Sequence, residues 1–253
     1  MSIHYGQFCP VSKAAEVLGE RWTILIIREL LLGTTRYSEF QRALSKISPT
    51  LLTKRLNELV ACGLVLRKLN SAPKPAVTAP AQRQGARSKT AGQPRATYHL
   101  TPAGQELKPL VLGLGEWGAK WARGQMRADE LDVELLMTEF CRRIDSTKLP
   151  ADRAVIGFAF PRLPKFAHWW IVFQPDRERE LCVNHPGKDV DLQIRTNVLT
   201  LVEIWRGDTD LGAATKDGRL KVSGDPVLIR TLTSWLRPGL SAHIRPSPHA
   251  LRV

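Results

Sequence analysis

The sequence lacks any apolar segment long enough to cross a membrane. Runs such as ILII at 24–27 and LVLGL at 110–114 fall far short of the length that a bilayer requires. The first ten residues, MSIHYGQFCP, contain neither a charged region nor a long apolar stretch, so we expect no signal peptide. We therefore predict a chain with no membrane insertion.

Residues and motifs typical of enzyme and metal sites are also scarce. The cysteines form no C-x-x-C pair, and no cysteine or histidine stands at the spacing of a zinc site. The sequence has no G-x-S-x-G motif for a nucleophile. We expect no catalytic residues, no metal, no cofactor, and a reduced, cytoplasmic protein. The cysteines are Cys9, Cys62, Cys141 and Cys182, and the histidines of the second half are His168, His185, His243 and His249.

Acidic residues are few in the first half of the chain. The formal net charge is +13. Residues 1–127 hold 19 Lys+Arg and 7 Asp+Glu, a net of +12, whereas residues 128–253 hold 18 and 17, a net of +1. A basic surface of this kind indicates a polyanionic partner, which could be nucleic acid or a membrane surface. The asymmetry also predicts two domains, residues 1–126 and 127–253.

The first half has the pattern of several helices followed by two strands. Apolar residues at helical spacing predict the helices, and Ser48-Pro49 is typical of a helix start. The predicted helices cover 11–20, 21–33, 36–44 and 48–63, and the strands cover 64–69 and 96–101. Helices followed by a two-stranded hairpin indicate a winged helix-turn-helix.

The predicted helix after Ser48 has two different faces. Leu52, Leu56, Leu59 and Val60 form an apolar face that we expect to pack on the core. The opposite face carries hydroxyls, an amide and a cation, which are the groups that contact phosphates and base edges in DNA. The alternative is a face that is merely solvated. The predicted DNA contacts are Arg36, Ser38, Arg42, Ser48, Pro49, Thr50, Thr53, Lys54, Arg55 and Asn57.

An insertion separates the two predicted strands. Residues 70–96 are rich in Pro and Ala, contain five Lys/Arg and contain no acid, so we predict that they are disordered. The segment could be a tolerated loop insertion, or it could add phosphate contacts beside the recognition helix.

A further helix is predicted after Thr101-Pro102, with an apolar stripe along it. Such a stripe favours a symmetric homodimer, which would present two recognition helices to major-groove sites about 34 Å apart. The stripe consists of Leu107, Leu110, Val111, Leu114, Trp117 and Trp121.

Three glycines in this stretch match a dinucleotide-binding pattern. Gly113, Gly115 and Gly118 fit G-x-G-x-x-G, which requires a strand before the glycines and a helix that starts at them. The apolar stripe instead continues through the glycines with helical spacing. We therefore favour a helix over an NAD(P)-dependent oxidoreductase.

Residues 8–121 resemble the HxlR-type transcriptional regulators. The resemblance lies in CPV, GERWTILIIRELLLGTTRYSEFQRAL, ISPTLLTKRLNELVACGLVLR, YHLTPAGQEL and LGEWG, in this order. It implies a dimeric winged-helix protein that binds operator DNA, usually as a repressor. The long insertion departs from the family, whose wing is short.

The resemblance also draws attention to Cys9-Pro10. Some members of this family sense oxidants or electrophiles through a cysteine at that position. A reactive cysteine needs a lowered pKa, which the nearby Lys13 could supply. The alternative, which we favour, is that Cys9 is a small buried apolar residue.

The second half resembles the sterol-carrier-protein lipid-binding fold. Strands are predicted at 154–160, 168–174, 180–185, 191–196 and 218–224, with helices at 129–144, 197–207 and 225–237. The resemblance covers residues 130–238 and implies a mostly antiparallel sheet that encloses an apolar tunnel. The residues predicted to line an apolar pocket, or alternatively to form plain core, are Phe158, Phe160, Trp169, Ile171, Trp205 and Trp235.

The expected architecture is therefore α+β, with a winged helix-turn-helix domain followed by a sterol-carrier-like domain. We predict a dimeric transcriptional repressor whose second domain senses a hydrophobic ligand. The alternative is a lipid carrier that docks on anionic membranes through its basic half.

Overall fold

The computed structural model describes residues 4–70, 95–123, 127, 130–150, 153–174, 177, 179–249 and 251. Its contacts divide the chain into two compact units, Met1–Val111 and Leu112–Val253. The domain boundary expected after residue 126 stays a prediction. The disorder predicted for the insertion also stays a prediction, because residues 71–94 lie outside the described residues.

The first unit is a winged helix-turn-helix, as the sequence predicted. Its strands pair antiparallel, with Val65 opposite Leu100. The elements are α1 (Pro10–Leu18), α2 (Thr23–Leu31), α3 (Tyr37–Ala43), α4 (Pro49–Ala61), β1 (Val65–Asn70), β2 (Arg95–Leu100), α5 (Pro102–Gln105) and α6 (Lys108–Trp121). Helix α6 begins in this unit and continues past its boundary.

The helix expected after Thr101 is split into α5 and α6. Thr101 caps α5 by accepting a hydrogen bond from the Gly104 amide at 3.2 Å. Pro109 lies in the first turn of α6, where its missing N–H leaves no hydrogen bond unmade. The apolar periodicity continues across the break, which is why the sequence pattern did not reveal it.

Buried aromatic contacts hold the helix-turn-helix against the wing. Phe40 on α3 meets Tyr98 on β2 edge to face, with ring centroids 6.2 Å apart. The Tyr98 amide donates to the Thr35 carbonyl at 2.9 Å, and Arg36 forms a β-bridge with Thr97. The start of α3 is therefore fixed to the sheet.

Helix α4 is anchored on its inner side by a buried arginine. The Arg55 side chain is only 8% exposed, and it forms ion pairs with Glu20 at 2.5 Å and Glu58 at 2.6 Å. Its Nε also donates to the Arg21 carbonyl at 3.1 Å. Trp22, the next residue, adopts a left-handed backbone with φ of 77° where the chain turns into α2. Arg55 thus joins α4 to the turn that precedes α2.

The second unit is an α+β domain built on a five-stranded sheet. The strand order is β5-β4-β3-β6-β7, in which β3 and β6 are parallel and the other neighbours are antiparallel. The elements are α7 (Val133–Arg143), a 3-10 turn (Ser146–Lys148), β3 (Ala154–Ala159), β4 (His168–Phe173), β5 (Glu180–Cys182), β6 (Leu192–Thr196), α8 (Val198–Arg206), α9 (Leu211–Lys216), β7 (Leu220–Gly224) and α10 (Pro226–Trp235).

Helices α7, α8 and α10 supply side chains to the same apolar core as the sheet. Phe140, Leu201 and Trp235 share one buried cluster with Ile156 and Ile171 of the strands. Helix α10 begins where the sequence predicted a helix, and the Asp225 carboxylate caps it by accepting hydrogen bonds from two amides of the first turn, at 2.6 and 3.2 Å. The short α9 was not predicted, since six residues give too little periodicity to detect.

Replacing Arg55 with Leu should weaken the first unit. The change leaves the Glu20 carboxylate and the Arg21 carbonyl without their partner, so we expect a loss of about 3 kcal/mol. Hydrogen exchange of the α2 and α4 amides would report this unit by itself. Lys54→Ala, one residue earlier on the exposed side, is the control and should change stability by less than about 0.5 kcal/mol. Equal protection in the two variants would contradict the anchoring role.

Replacing Asp225 with Ala should destabilise the second unit by about 1 kcal/mol, because α10 loses its N-cap. Urea denaturation of the full chain would measure the change. Asp189→Ala removes an equally charged, exposed carboxylate that caps no helix, and it should leave the transition nearly unchanged. A similar effect of both substitutions would argue for a general charge effect and against capping.

Candidate nucleic-acid interface

The outward face of α4 is polar and exposed along its length. Thr50, Thr53, Lys54 and Asn57 are all exposed, whereas Leu52, Leu56 and Leu59 are buried on the other side. The Lys54 ammonium lies 3.9 Å from Glu58. An exposed pair at this distance contributes little stability, so the ammonium can turn towards a phosphate at low cost.

A small hydrogen-bond network fixes the first turn of α4. Tyr37 on α3 donates its hydroxyl to the Pro49 carbonyl at 2.8 Å, and Thr53 donates to the same carbonyl at 2.9 Å. The hydroxyl proton of Thr53 is therefore donated within the helix. Thr53 presents its methyl group and its oxygen lone pairs outward. Sequence reasoning did not predict this positioning role for Tyr37.

Five other predicted contacts lie on α3 or at the start of α3 and α4. Ser38 and Arg42 are exposed and lie one turn apart on α3, so they share a face. Arg36 is exposed at the N-cap of α3, with its guanidinium 3.6 Å from Glu39. Ser48 caps α4 by accepting from the Leu51 amide at 3.3 Å, and Pro49 is the first residue of the helix.

The structure places Arg55 apart from the other nine predicted contacts. It lies on the buried side of α4 and is held by the Glu20 and Glu58 carboxylates. Glu20 is 35 residues away in the chain, and no local pattern signals the pairing.

The wing contributes two basic residues that sequence reasoning missed. Arg67 and Lys68 are exposed on β1, in the strand that follows α4. Because successive residues of a strand point to opposite faces, these two cations lie on different sides of the hairpin. The presence of two cations in a short apolar strand was the signal in the sequence that could have identified them.

Helix α6 exposes part of the predicted dimerisation stripe. Leu110, Leu114 and Trp117 are at least half exposed, whereas Leu107 and Val111 pack against the core of the first unit. Trp121 is half-buried and lies beneath the Lys120 ammonium, 5.1 Å from the ring centroid. The stripe therefore divides into a packed side and an exposed side.

The glycine pattern lies inside α6. Gly113, Gly115 and Gly118 follow several helical residues, so they do not stand between a strand and a helix start. That context does not support a dinucleotide fingerprint.

Cys9 is the N-cap of α1 and is half-buried. Hydrogen bonds from the backbone amides of Ser12 and then Val11 lower the pKa of its thiol, because they favour the thiolate. The Lys13 ammonium pairs with Glu16 at 3.0 Å, so the cause expected from the sequence is not the one that operates. A redox role for Cys9 stays a prediction.

Five of the six side chains predicted to line an apolar pocket are fully buried in the core of the second unit, and Trp205 is half-buried. The described part of the chain contains two cavities that bear on these predictions. The larger, about 480 Å³, lies beside Arg55, and the smaller, about 270 Å³, beside Arg143. Neither is lined by the six residues, so their role towards a ligand stays a prediction.

Two kinds of feature are absent from the described residues. No helix there is both long enough and apolar enough to cross a membrane. No group of three or more His, Cys, Asp or Glu side chains there is arranged to hold a metal ion.

Two family models match different parts of the chain. The HxlR-like helix-turn-helix model matches residues 17–79, which contain α2, α3, α4 and β1. The SCP-2 sterol transfer family model matches residues 146–237, which contain the five-stranded sheet.

Several proteins are similar to the first half. The uncharacterized HTH-type transcriptional regulator YvaP of Bacillus subtilis (strain 168) is 31% identical over 120 residues, which cover 47% of this chain and 94% of YvaP. YybR of the same organism, also an uncharacterized HTH-type transcriptional regulator, is 31% identical over 111 residues, 44% of this chain and 73% of YybR. The solved structure of the redox regulator HypR in its reduced form is 29% identical, covers 44% of this chain and 90% of HypR, and has a TM-score of 0.33. The chain belongs to the HxlR-like helix-turn-helix family of transcriptional regulators, and its second half matches the SCP-2 sterol transfer family.

Proposed function

We propose that the protein represses transcription in the cytoplasm by binding operator DNA as a homodimer, with α4 of each protomer in a major groove. The observation that carries this proposal is the outward face of α4, which is exposed, polar and held in place from behind by Arg55. A recognition helix needs both properties, because base contacts require side chains whose backbone does not move.

The proposed contacts divide by chemistry. Lys54 and Arg42 contact phosphates, because their charges are exposed and reach beyond the helices that carry them. Asn57 and Thr50 contact base edges, since an amide or a hydroxyl can both donate and accept. Thr53 adds a methyl group for apolar contact with a thymine. Arg36, Ser38, Ser48 and Pro49 lie at the edge of this surface, and Arg67 and Lys68 extend it to the wing.

Arg55 has a positioning role in this proposal and does not touch DNA. Its donors are used by Glu20, Glu58 and the Arg21 carbonyl, and its side chain is buried. Reaching a phosphate would require breaking all of these interactions.

The exposed side of α6 is proposed as the dimer interface. Leu110, Leu114 and Trp117 occupy successive turns of one face, and each is at least half exposed. Exposed apolar stripes of this kind are typical of oligomer contacts, since a second copy of the helix would remove them from water. Repression follows the usual behaviour of the family that the sequence resembles.

Binding of a hydrophobic ligand by the second unit is the second candidate function. The match of residues 146–237 to the SCP-2 sterol transfer family favours it. If a ligand bound one arrangement of the dimer more tightly than another, the difference between its two binding free energies would shift the free energy of operator binding. The same match is compatible with a lipid carrier docked on an anionic membrane, which would bind vesicles and would show no preference among DNA sequences.

Two substitutions on α4 should separate affinity from specificity. Lys54→Ala should weaken binding to operator and scrambled DNA alike, and should reduce the slope of log K against log salt by about 0.9, the value for one phosphate contact on duplex DNA. Asn57→Ala should mainly reduce the preference for operator, by about 1–3 kcal/mol, if the amide contacts a base. Fluorescence anisotropy over a salt series would measure both.

Lys216→Ala is the control for these measurements. It removes an exposed cation from α9 in the second unit, so it should leave the salt slope and the operator preference unchanged. An equal loss for Lys54→Ala and Lys216→Ala would show that only overall charge matters. The proposed interface on α4 would then be wrong.

Leu114→Glu should disrupt the dimer, because it introduces a charge into the exposed stripe of α6. We expect a monomer in sedimentation velocity and a loss of operator affinity of at least about a hundredfold, since two linked half-sites bind far more tightly than one. Leu112→Glu makes the same change at an exposed position on the other side of α6 and should leave the dimer intact. A Leu114→Glu variant that remains dimeric would place the interface elsewhere.

A further inference from the structure

The five-stranded sheet of the second unit has two faces with different surroundings. Alternate residues of its strands, such as Ile156, Trp169 and Ile194, are fully buried in the core that the sheet shares with α7, α8 and α10. Because successive residues of a strand point to opposite sides, the residues between them lie on the other face. Several side chains of this outer face are exposed, and the strand register places them side by side.

The outer face presents two adjacent rows of residues that run across the sheet. Each row takes one residue from each of four neighbouring strands, β4, β3, β6 and β7. The first row is His168, Ala159, Arg195 and Lys221, and the second is Trp170, Gly157, Gln193 and Ser223. Neighbouring strands lie about 4.8 Å apart, so each row is about 14 Å long. We call these eight residues the platform.

One end of the platform carries two cations side by side. Arg195 and Lys221 lie directly opposite each other on β6 and β7, and both are exposed. Neither side chain forms an ion pair or a hydrogen bond with any other residue that the structure describes. Like charges directly opposite each other on neighbouring strands destabilise a sheet, and an anion bound to both would remove that repulsion.

The acids on and next to these strands lie outside the two rows. Asp191 stands four residues before Arg195, about 13 Å along β6, and its carboxylate accepts a hydrogen bond from a backbone amide of β3 at 2.7 Å. Glu180 lies on β5, beyond the second row. Asp217, just before β7, pairs with Arg219 at 3.2 Å. None of these carboxylates is an ion-pair partner of the two platform cations.

The other end of the platform is aromatic. Trp170 is half-buried, and the exposed ring of His168 lies nearly parallel to it, with 5.9 Å between the ring centroids and 18° between the planes. His185, which follows β5, meets Trp170 edge to face at 5.2 Å. Aromatic rings on an open sheet provide surfaces on which the planar bases of a nucleic acid stack.

The middle of the platform is low because its residues on β3 are small. Ala159 and Gly157 separate the aromatic end from the cations by one strand. A Cβ atom at position 157 would overlap the Gln193 amide, so glycine allows that side chain to lie across β3. One N–H of this amide donates to the Ile194 carbonyl at 3.3 Å. The rest of the amide can exchange hydrogen bonds with the edge of a base.

We propose that the platform binds single-stranded nucleic acid, with Arg195 and Lys221 on phosphates and a base against the rings of Trp170 and His168. A nucleotide joins a planar base to an anion, and the platform presents aromatic rings and a cation pair that begin two strand spacings apart, about 10 Å. Sites for free small molecules are concave, whereas this face is open and suits an extended polymer. The inference is independent of the duplex contacts proposed for α4.

An anionic membrane is the other polyanion that exposed cations attract. Surfaces that bind membranes combine their cations with exposed apolar side chains that enter the interface. The two rows contain no Leu, Ile, Val or Phe, and Trp170 is held between two histidines. The residues of the platform therefore favour nucleic acid.

The test of the cation pair compares Arg195→Gln and Lys221→Gln with Arg230→Gln in the full chain. Arg230 is an exposed arginine on α10, outside the platform, so its replacement makes the same change in net charge. Fluorescence anisotropy with a labelled single strand of about eight nucleotides, over a salt series, measures binding. We expect each platform variant to lower the salt slope by about 0.7, which corresponds to about fivefold weaker binding at 0.1 M salt, and Arg230→Gln to leave both unchanged.

A second comparison tests the aromatic end. An abasic oligonucleotide of the same length carries the same phosphates and no bases, so phosphate contacts by the basic first half are common to both strands. We expect the protein to bind the strand with bases about fivefold or more tightly, because only that strand can stack. His168→Ala, at an exposed position, should reduce this preference. His249→Ala, at an exposed position outside the platform, should leave it unchanged.

Equal affinity of Arg195→Gln and Arg230→Gln for the single strand would overturn the proposal, whatever the duplex measurements with Lys54→Ala show for α4. Equal binding of the base-bearing and abasic strands would overturn it as well. Flotation with vesicles of phosphatidylglycerol and phosphatidylcholine addresses the membrane. Arg195-dependent flotation without Arg195-dependent binding of the oligonucleotide would assign the platform to a membrane and would refute the proposal.

Discussion

The burial of Arg55 is the constraint on which the geometry of the candidate interface depends. A buried guanidinium is stable only where acceptors surround it, and here they come from Glu20, Glu58 and the Arg21 carbonyl. Rotating α4 by one residue, about 100°, would remove these partners and expose the apolar face of the helix. The outward direction of Lys54 and Asn57 is therefore set by interactions on the opposite side of the helix.

Local signals in the sequence predicted most of the fold. Ser48 and Asp225 each precede a proline and cap a helix, and Gly63 ends α4 with φ of 78°. Each of these effects acts within a few residues, so it can be read from the sequence. The break before α6 was not predicted because it leaves the apolar periodicity intact. The short α9 was not predicted because six residues are too few to create a periodicity.

Features that depend on distant residues could not be predicted. The burial of Arg55 depends on Glu20, which lies 35 residues away in the chain, whereas the helical pattern alone placed Arg55 beside its exposed neighbour Lys54. Ile144 of the second unit forms a β-bridge with Leu236, and no local pattern in the sequence signals this pairing either.

The aromatic residues predicted to line an apolar pocket differ in their surroundings. The indole N–H of Trp169 donates to the Phe166 carbonyl at 2.9 Å, and that of Trp235 donates to the Leu228 carbonyl at 3.3 Å. The buried indole N–H of Trp205 has no partner within the described residues. A buried donor without an acceptor carries a desolvation cost, which a ligand or a water molecule that supplied an acceptor would remove. Trp169 and Trp235 thus have the satisfied bonding of core residues, and Trp205 is the side chain of these three at which a polar ligand group would gain a contact.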